Sequence, residues 1–224
     1  MKVSIVIPVY NAQNTIGKAV DSALNQDFPK KQFEVIVVND GSTDKTLKIL
    51  RTYKKRIRVI SQKNQGAVKA ANKGFKRAGG KYVIKLDSDD YFKPNILKKM
   101  VAILDKNPKI DFVYCDYYEK STNRKVKIVS TKNIFNTVAI GIMFRKNRLA
   151  GQGFYREDIK FPEYDLLLRI PKKWQGYRIE EPLFSYNRYS ESLTLKKHFV
   201  KTALTELKKL HPKKIKEIKK IRNY

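Results

Sequence analysis

Apolar residues fall along this chain in two rhythms: short solid runs, and longer stretches where they recur three and four positions apart. Val3 to Ile7 is a solid run that reads as a buried strand stopped by Pro8. Thr15 to Gln26 places Ile16, Ala19, Val20, Ala23 and Leu24 at helical spacing. Glu34 to Val38 is the next strand, and Asn39-Asp40-Gly41-Ser42-Thr43-Asp44 is a polar loop that can cap a helix carrying Leu47, Ile49 and Leu50. Arg56 to Ile60 reads as a third strand, Ala67 to Ala78 as a helix closed by Gly79-Gly80, and Lys81 to Leu86 as a fourth strand. Strands that alternate with helices imply parallel pairing through right-handed crossovers. The expected fold class is therefore α/β, with a Rossmann-like sheet flanked by helices.

The fourth strand runs straight into Asp87-Ser88-Asp89-Asp90. In an open α/β sheet the carboxyl ends of the strands are where ligands bind. Carboxylates this close repel one another unless a cation sits among them. Mg²⁺ or Mn²⁺ bridging to a diphosphate would satisfy them, because hard cations take carboxylate and phosphate oxygens together. A plain polar turn is the competing reading, since Asp and Ser are ordinary turn residues. Two more loops fall at the same edge, Pro8-Val9-Tyr10-Asn11 after strand one and Asn39-Asp40-Gly41-Ser42 after strand two. No G-x-G-x-x-G follows strand one and no G-x-x-x-x-G-K-[ST] occurs anywhere, which excludes the usual dinucleotide and P-loop classes.

Composition narrows the setting. The chain has 224 residues, 42% hydrophobic and 11% aromatic, enough for a proper core. Its 49 Lys+Arg against 21 Asp+Glu leave a net charge of +28, which favours polyanionic partners or a phosphorylated substrate. A lysine-rich, thermophilic host proteome would produce the same imbalance. The single cysteine, Cys115, forms no internal disulfide and fits a reducing compartment. Met1-Lys2 leads directly into a strand, with no secretory leader pattern, and no apolar run is long enough to cross a bilayer. The expected location is cytoplasmic, with peripheral attachment to the membrane face as an extension of it.

Ser4-Ile5-Val6-Ile7-Pro8-Val9-Tyr10-Asn11, Val38-Asn39-Asp40-Gly41-Ser42-Thr43-Asp44 and Leu86-Asp87-Ser88-Asp89-Asp90 together resemble the three N-terminal signatures of glycosyltransferase family 2, inverting nucleotide-sugar enzymes of the GT-A fold. Asn64-Gln65-Gly66 through Gly74, Phe161 to Ile170, and Tyr186 to Thr194 are similar to later family segments. The resemblance divides the chain into a nucleotide-sugar-binding half (1–95), an acceptor-binding half of the same domain (96–195) and a basic tail (196–224). It implies that Pro8, Val9, Tyr10 and Asn11 line a nucleotide pocket and that Asp40 accepts a hydrogen bond from the base. The Asp40 side chain could instead cap the helix after Thr43, a task Ser42 or Asp44 would do equally well. It further implies that Asp89 is the principal ligand of Mn²⁺ or Mg²⁺ and that Asp87 binds the nucleotide, lying against the ribose or the metal shell; Asp90 is expected only to cap the following helix. The donor would be a UDP- or GDP-linked sugar and the acceptor a glycan or lipid-linked hydroxyl.

The base is less settled. Aligned on Tyr164-Asp165-Leu166, Glu163 stands where the family carries its catalytic Asp and Pro162 where it carries Glu. Asp165, Glu157 and Asp158 are the alternatives, and Glu163 near a helix start is also favourable to the dipole alone. Ala71 replaces an Arg common in relatives, and Tyr189 a His. His198 and His211 lie in the tail, away from any metal motif. The tail, residues 196–224, carries a net +9. Val200, Ala203, Leu204, Leu207 and Leu210 form one apolar stripe, and Ile215, Ile218 and Ile221 a second after Pro212. Such a helix reads either as a surface that meets an anionic membrane or as one that packs its leucines on the domain. The Gln–x–x–Arg–Trp of processive synthases is absent, Trp174 standing in Lys172-Lys173-Trp174-Gln175, so single-residue transfer is expected. A nucleotidyltransferase and a polyanion-binding protein are the alternatives; specific nucleic-acid recognition is not expected, because the charge is diffuse and no recognition module is present.

Overall fold

The computed structural model describes residues 1–121, 123, 125–132, 134–136, 140–188 and 196–217. Among them β1 (Val3–Val9), β2 (Phe33–Asn39), β3 (Arg58–Ser61) and β4 (Tyr82–Lys85) pair in parallel in the order β3-β2-β1-β4. The connecting helices are α1 (Ile16–Leu24), α2 (Thr46–Thr52) and α3 (Ala67–Arg77). This is the strand–helix alternation read from the apolar pattern. The second half extends the same sheet. After β5 (Tyr91–Phe92) and α4 (Ile96–Lys106) come β6 (Ile110–Lys120), β7 (Val126–Val129) and β8 (Ile142–Arg145). Helices α5 (Lys146–Gly151) and α6 (Pro162–Arg169), β9 (Gln175–Asn187) and α7 (Lys197–Leu210) complete the described chain. β8 pairs antiparallel to β4, β6 antiparallel to β8, and β9 parallel to β6, with bulges along that last ladder.

Strand alternation divides the core into two layers. Val3, Ile5, Ile7, Ile84 and Leu86 point to one face and pack against α1 and α4. Val6, Ile36, Val38 and Val83 point to the other, against α3, α6 and α7. Side chains of period two on a strand require this partition.

Four local expectations change. β1 does not stop at Pro8, which pairs with Val38 inside the strand. Val6 O accepts the Leu86 amide and Val9 O the Asp40 amide, so position 8 faces the β4 side beyond the end of β4. A proline there removes no ladder hydrogen bond. Gly79 and Gly80 do not form a left-handed cap. Instead, a Cβ on Gly80 would lie 2.6 Å from Ser4 N, and the Gly79 amide donates to Glu34 Oε1 at 2.7 Å. Asp90 does not cap α4, which begins after Asn95. Finally, α7 lies on the domain: Val200, Ala203 and Leu207 are buried against Phe161 and Leu166, so most of its stripe is covered by protein, while Leu210 stays exposed. Ile215 also packs partly on this core, while Ile218 and Ile221 lie outside the described residues, as does Tyr189. Among the described residues no helix is long and apolar enough to span a membrane.

Candidate active site

The carboxyl ends of β2, β1 and β4 lie side by side, and the loops after them open onto one cavity of about 630 Å³. Pro8, Val9, Tyr10 and Asp40 line one part of it, Asp87 to Asp90 another, and Glu163 of α6 a third. Tyr10 is half exposed and presents a ring to the cavity. Asn11 does not line it. Its backbone is left-handed (φ 47°), and its side chain accepts from the Thr43 amide at 2.8 Å, tying the first loop to the second. Asp44, rather than Asp40, serves α2, accepting from the Thr46 amide at 2.9 Å.

Asp40 is buried, and three donors hold its carboxylate. Gln62 Nε2 and the Gln65 amide donate to Oδ1 at 2.7 and 2.9 Å, and the Gly66 amide donates to Oδ2 at 2.8 Å. These bonds pin the loop before α3. Gly41 makes the approach possible, because a Cβ there would lie 2.7 Å from Asn64 N and its φ is +74°. One acceptor position of Oδ2 is left for a ligand by lone-pair count.

The acid turn after β4 is organised by two basic or amide groups. Lys85, the last residue of β4, is buried and directs Nζ to Asp87 Oδ1 at 3.0 Å and to Glu163 Oε1 at 3.1 Å. Burial alone would lower its pKa, but the Asp87 and Glu163 carboxylates hold it well above the ordinary lysine value. Asn187, at the end of β9, donates its amide to Asp90 Oδ1 at 2.7 Å and its side-chain nitrogen to Asp89 O at 2.6 Å. Asp90 is thus an internal strut. Burial and the charges of Asp89 and Asp87 push it well above the usual carboxylate range, and its Oδ2 has no partner. Burial, then the Asp87 charge, pushes Asp89 up to about 6.

That pattern bears on metal binding. Asp87 and Asp89 both line the cavity, and burial together with the Asp87 charge disfavours the ionised form of Asp89. Two carboxylate groups without histidine or thiol suit a hard cation whose remaining positions are filled by phosphate oxygens and water. No cluster of three ligand-type side chains occurs among the described residues, so such a cation would depend on its substrate for coordination.

Among the proposed bases, Glu163 alone reaches the cavity. It sits in the first turn of α6, and among the described residues only its Oε1 is engaged. Asp165 is fully buried on another face of the helix, with Oδ2 2.7 Å from Arg169 Nε and Oδ1 2.8 Å from His211 Nε2. Glu157 accepts from Asn72 Nδ2 at 3.0 Å, and Asp158 pairs with Arg156 at the surface. Neither lines the cavity. His211 is therefore a fastening for α6, consistent with its absence from any metal motif. The residue that sequence reasoning missed is Lys85. Its signal was a charge on the same side of the strand as Val83, the side that the later helices cover.

Comparison with known proteins agrees with this architecture. The family profile described as Glycosyl transferase family 2 matches residues 4–161. The poly(ribitol-phosphate) beta-N-acetylglucosaminyltransferase TarS of Staphylococcus aureus strain Mu50 is 40% identical over 111 residues, which cover 48% of this chain and 19% of TarS. The crystal structure of S. aureus TarS 1–349 in complex with UDP has a TM-score of 0.72 at 26% identity, covering 93% of this chain and 66% of that one. The mannosyltransferase PcManGT from Pyrobaculum calidifontis, solved with GDP-Man and Mn2+, has a TM-score of 0.73 at 17% identity, covering 93% of this chain and 64% of that one. The chain spans well under half the length of the curated relatives it matches. With the profile covering most of its length and solved relatives superposing on nearly all of it, the chain belongs to glycosyltransferase family 2 and has the GT-A fold.

Proposed function

We propose that this chain is an inverting glycosyltransferase that moves a sugar from a nucleoside diphosphate to an acceptor hydroxyl. The observation that carries the reading is that one cavity joins a wall of Pro8, Val9 and Tyr10, a pair of acids, and a separate carboxylate with one oxygen unpartnered among the described residues. A donor would lay its base against Pro8, Val9 and Tyr10, with the remaining lone pair of Asp40 accepting a base N–H. Uracil is the favoured base, since the TarS structure that resembles this chain was solved with UDP. Asp89 and Asp87 would hold Mn²⁺ or Mg²⁺ against the diphosphate. A divalent cation so placed supplies Lewis-acid neutralisation of the charge that collects on the departing diphosphate.

Glu163 acts on the other reactant. Its Oε2 takes the proton of the acceptor hydroxyl as that oxygen bonds to the anomeric carbon. The bond from that carbon to the diphosphate oxygen breaks at the same time, and its electron pair leaves with the nucleoside diphosphate. Attack opposite the leaving group inverts the anomeric centre. The acceptor is proposed to be a glycan or lipid-linked hydroxyl. Because α7 is covered, any attraction to an anionic membrane would fall to the lysines of the tail, such as Lys213 and Lys216, rather than to the leucine stripe.

The test is a thermal-shift panel of UDP, GDP, CDP and dTDP with and without Mn²⁺, followed by assay of the phosphate product with the matching nucleotide sugars. The expected result is a metal-dependent shift with one nucleotide, UDP first, and release of nucleoside diphosphate. Release of pyrophosphate from a nucleoside triphosphate and a sugar 1-phosphate would establish a nucleotidyltransferase instead, and no shift with any nucleotide would remove the enzyme reading.

A further inference from the structure

We infer that Lys85 is a positioning residue for the base, a buried cation that aims Glu163 at the donor end of the cavity; this rests on the transferase reading above. β4 is otherwise apolar or aromatic, and its neighbours Ile84 and Leu86 are fully buried. An apolar side chain at position 85 would serve the sheet equally well, whereas a buried ammonium is costly unless paired. Here it is paired twice, with Asp87 at 3.0 Å and Glu163 at 3.1 Å, and its Nζ lies 5.8 Å from the centre of the Tyr155 ring.

The two partners come from opposite halves of the chain. Asp87 follows β4, while Glu163 opens α6, on a helix that packs over the far face of the sheet. One cation thus joins a donor-side acid to the base. Glutamate has three side-chain torsions, and a carboxylate beside Asp87 without Lys85 would swing away from that charge. Lys85 fixes Oε1 and leaves Oε2 without a partner among the described residues, the arrangement a base needs to receive a proton. It also accounts for glutamate at this position, whose longer reach meets an ammonium rooted in the sheet.

Lys85 also lines the cavity, so a direct hold on the donor phosphates is the rival role. A double-mutant cycle separates them, using the full chain and the donor found by the nucleotide panel. Lys85→Met should lower kcat about 100-fold with the donor KM little changed, as expected for a displaced reacting group. In a Glu163→Gln background the same substitution should cost less than about threefold, because its effect runs through the missing carboxylate. An equal cost in both backgrounds, or a loss confined to donor KM, overturns the inference. Thermal unfolding of the same four proteins without substrate gives an independent reading. Lys85→Met should lower Tm by about 5 °C, and Glu163→Gln should recover part of that loss; additive shifts overturn the pairing. Lys85→Gln replaces the methionine variant if that variant does not fold. If the wild type releases no nucleoside diphosphate from any donor, the transferase reading fails, while the unfolding cycle still decides whether Lys85 holds Glu163.

Discussion

Glu163 and Asp165 stand two positions apart in α6, which turns them about 200° from one another around the helix axis. When one faces the cavity the other faces protein. The first lines the cavity, and the second is tied to Arg169 and His211. Glu163→Gln is expected to lower kcat/KM by about 10²- to 10⁴-fold, the range for a lost general base, and to leave the nucleotide-induced thermal shift intact. Asp165→Asn should act on stability instead, costing about 3–5 kcal/mol in urea unfolding because it removes the charge that Arg169 and His211 both meet. Sequence alone marked both acids, since a linear motif does not say which turn of a helix faces a cavity. Lys85 was invisible for a related reason. A strand pattern registers a lysine among apolar residues as a local exception, and its two partners lie on elements whose placement the pattern does not give. The place of Asp40, Asp87 and Asp89 at the cavity was legible because each follows the carboxyl end of a strand in a parallel series, and parallel order gathers such positions.

The same division holds for the elements. The βα units of the first half were readable because each buries its own strand and helix against the next. Their packing is close: a Cβ on Gly74 of α3 would lie 2.3 Å from Val6 Cγ1 of β1. Gly74→Ala should therefore destabilise the protein by about 1–3 kcal/mol through overpacking, although alanine favours an isolated helix by about 1 kcal/mol. A change of sign in urea unfolding would show that α3 sits further from the sheet. The tail was ambiguous because an amphipathic stripe has the same spacing whether lipid or protein covers it. In the structure protein covers Val200, Ala203 and Leu207, and Leu207→Ala should cost about 2–5 kcal/mol in the same measurement. β9 and its parallel ladder to β6 gave no signal, because β9 mixes exposed and buried positions and carries bulges that break the period-two pattern.

Over the whole molecule the charge is +28, yet the buried ion pairs depend on a few acids. Asp116 is one. Burial would raise its pKa, but Arg178 and Thr131 together hold it below its model-peptide value of 3.8. A folded pKa below the unfolded one adds stability that is complete above pH 3.8 and is lost as pH falls through the folded value. Unfolding free energy should fall steeply below pH 3.8, and more shallowly in Asp116→Asn; equal slopes would remove Asp116 from the account.

The order of the sheet also has a consequence for the chain as it is made. β4 takes β1 on one side from residues already synthesised, but its other side waits for β8 at residues 142–145. Until those residues emerge, Tyr82–Lys85 is an open apolar edge, and exposed edges of that kind recruit other chains. The first half of the chain is thus not a self-sufficient piece. Fragments ending between residues 95 and 141 should aggregate on expression, whereas those that reach past β8 gain the strand that closes the edge.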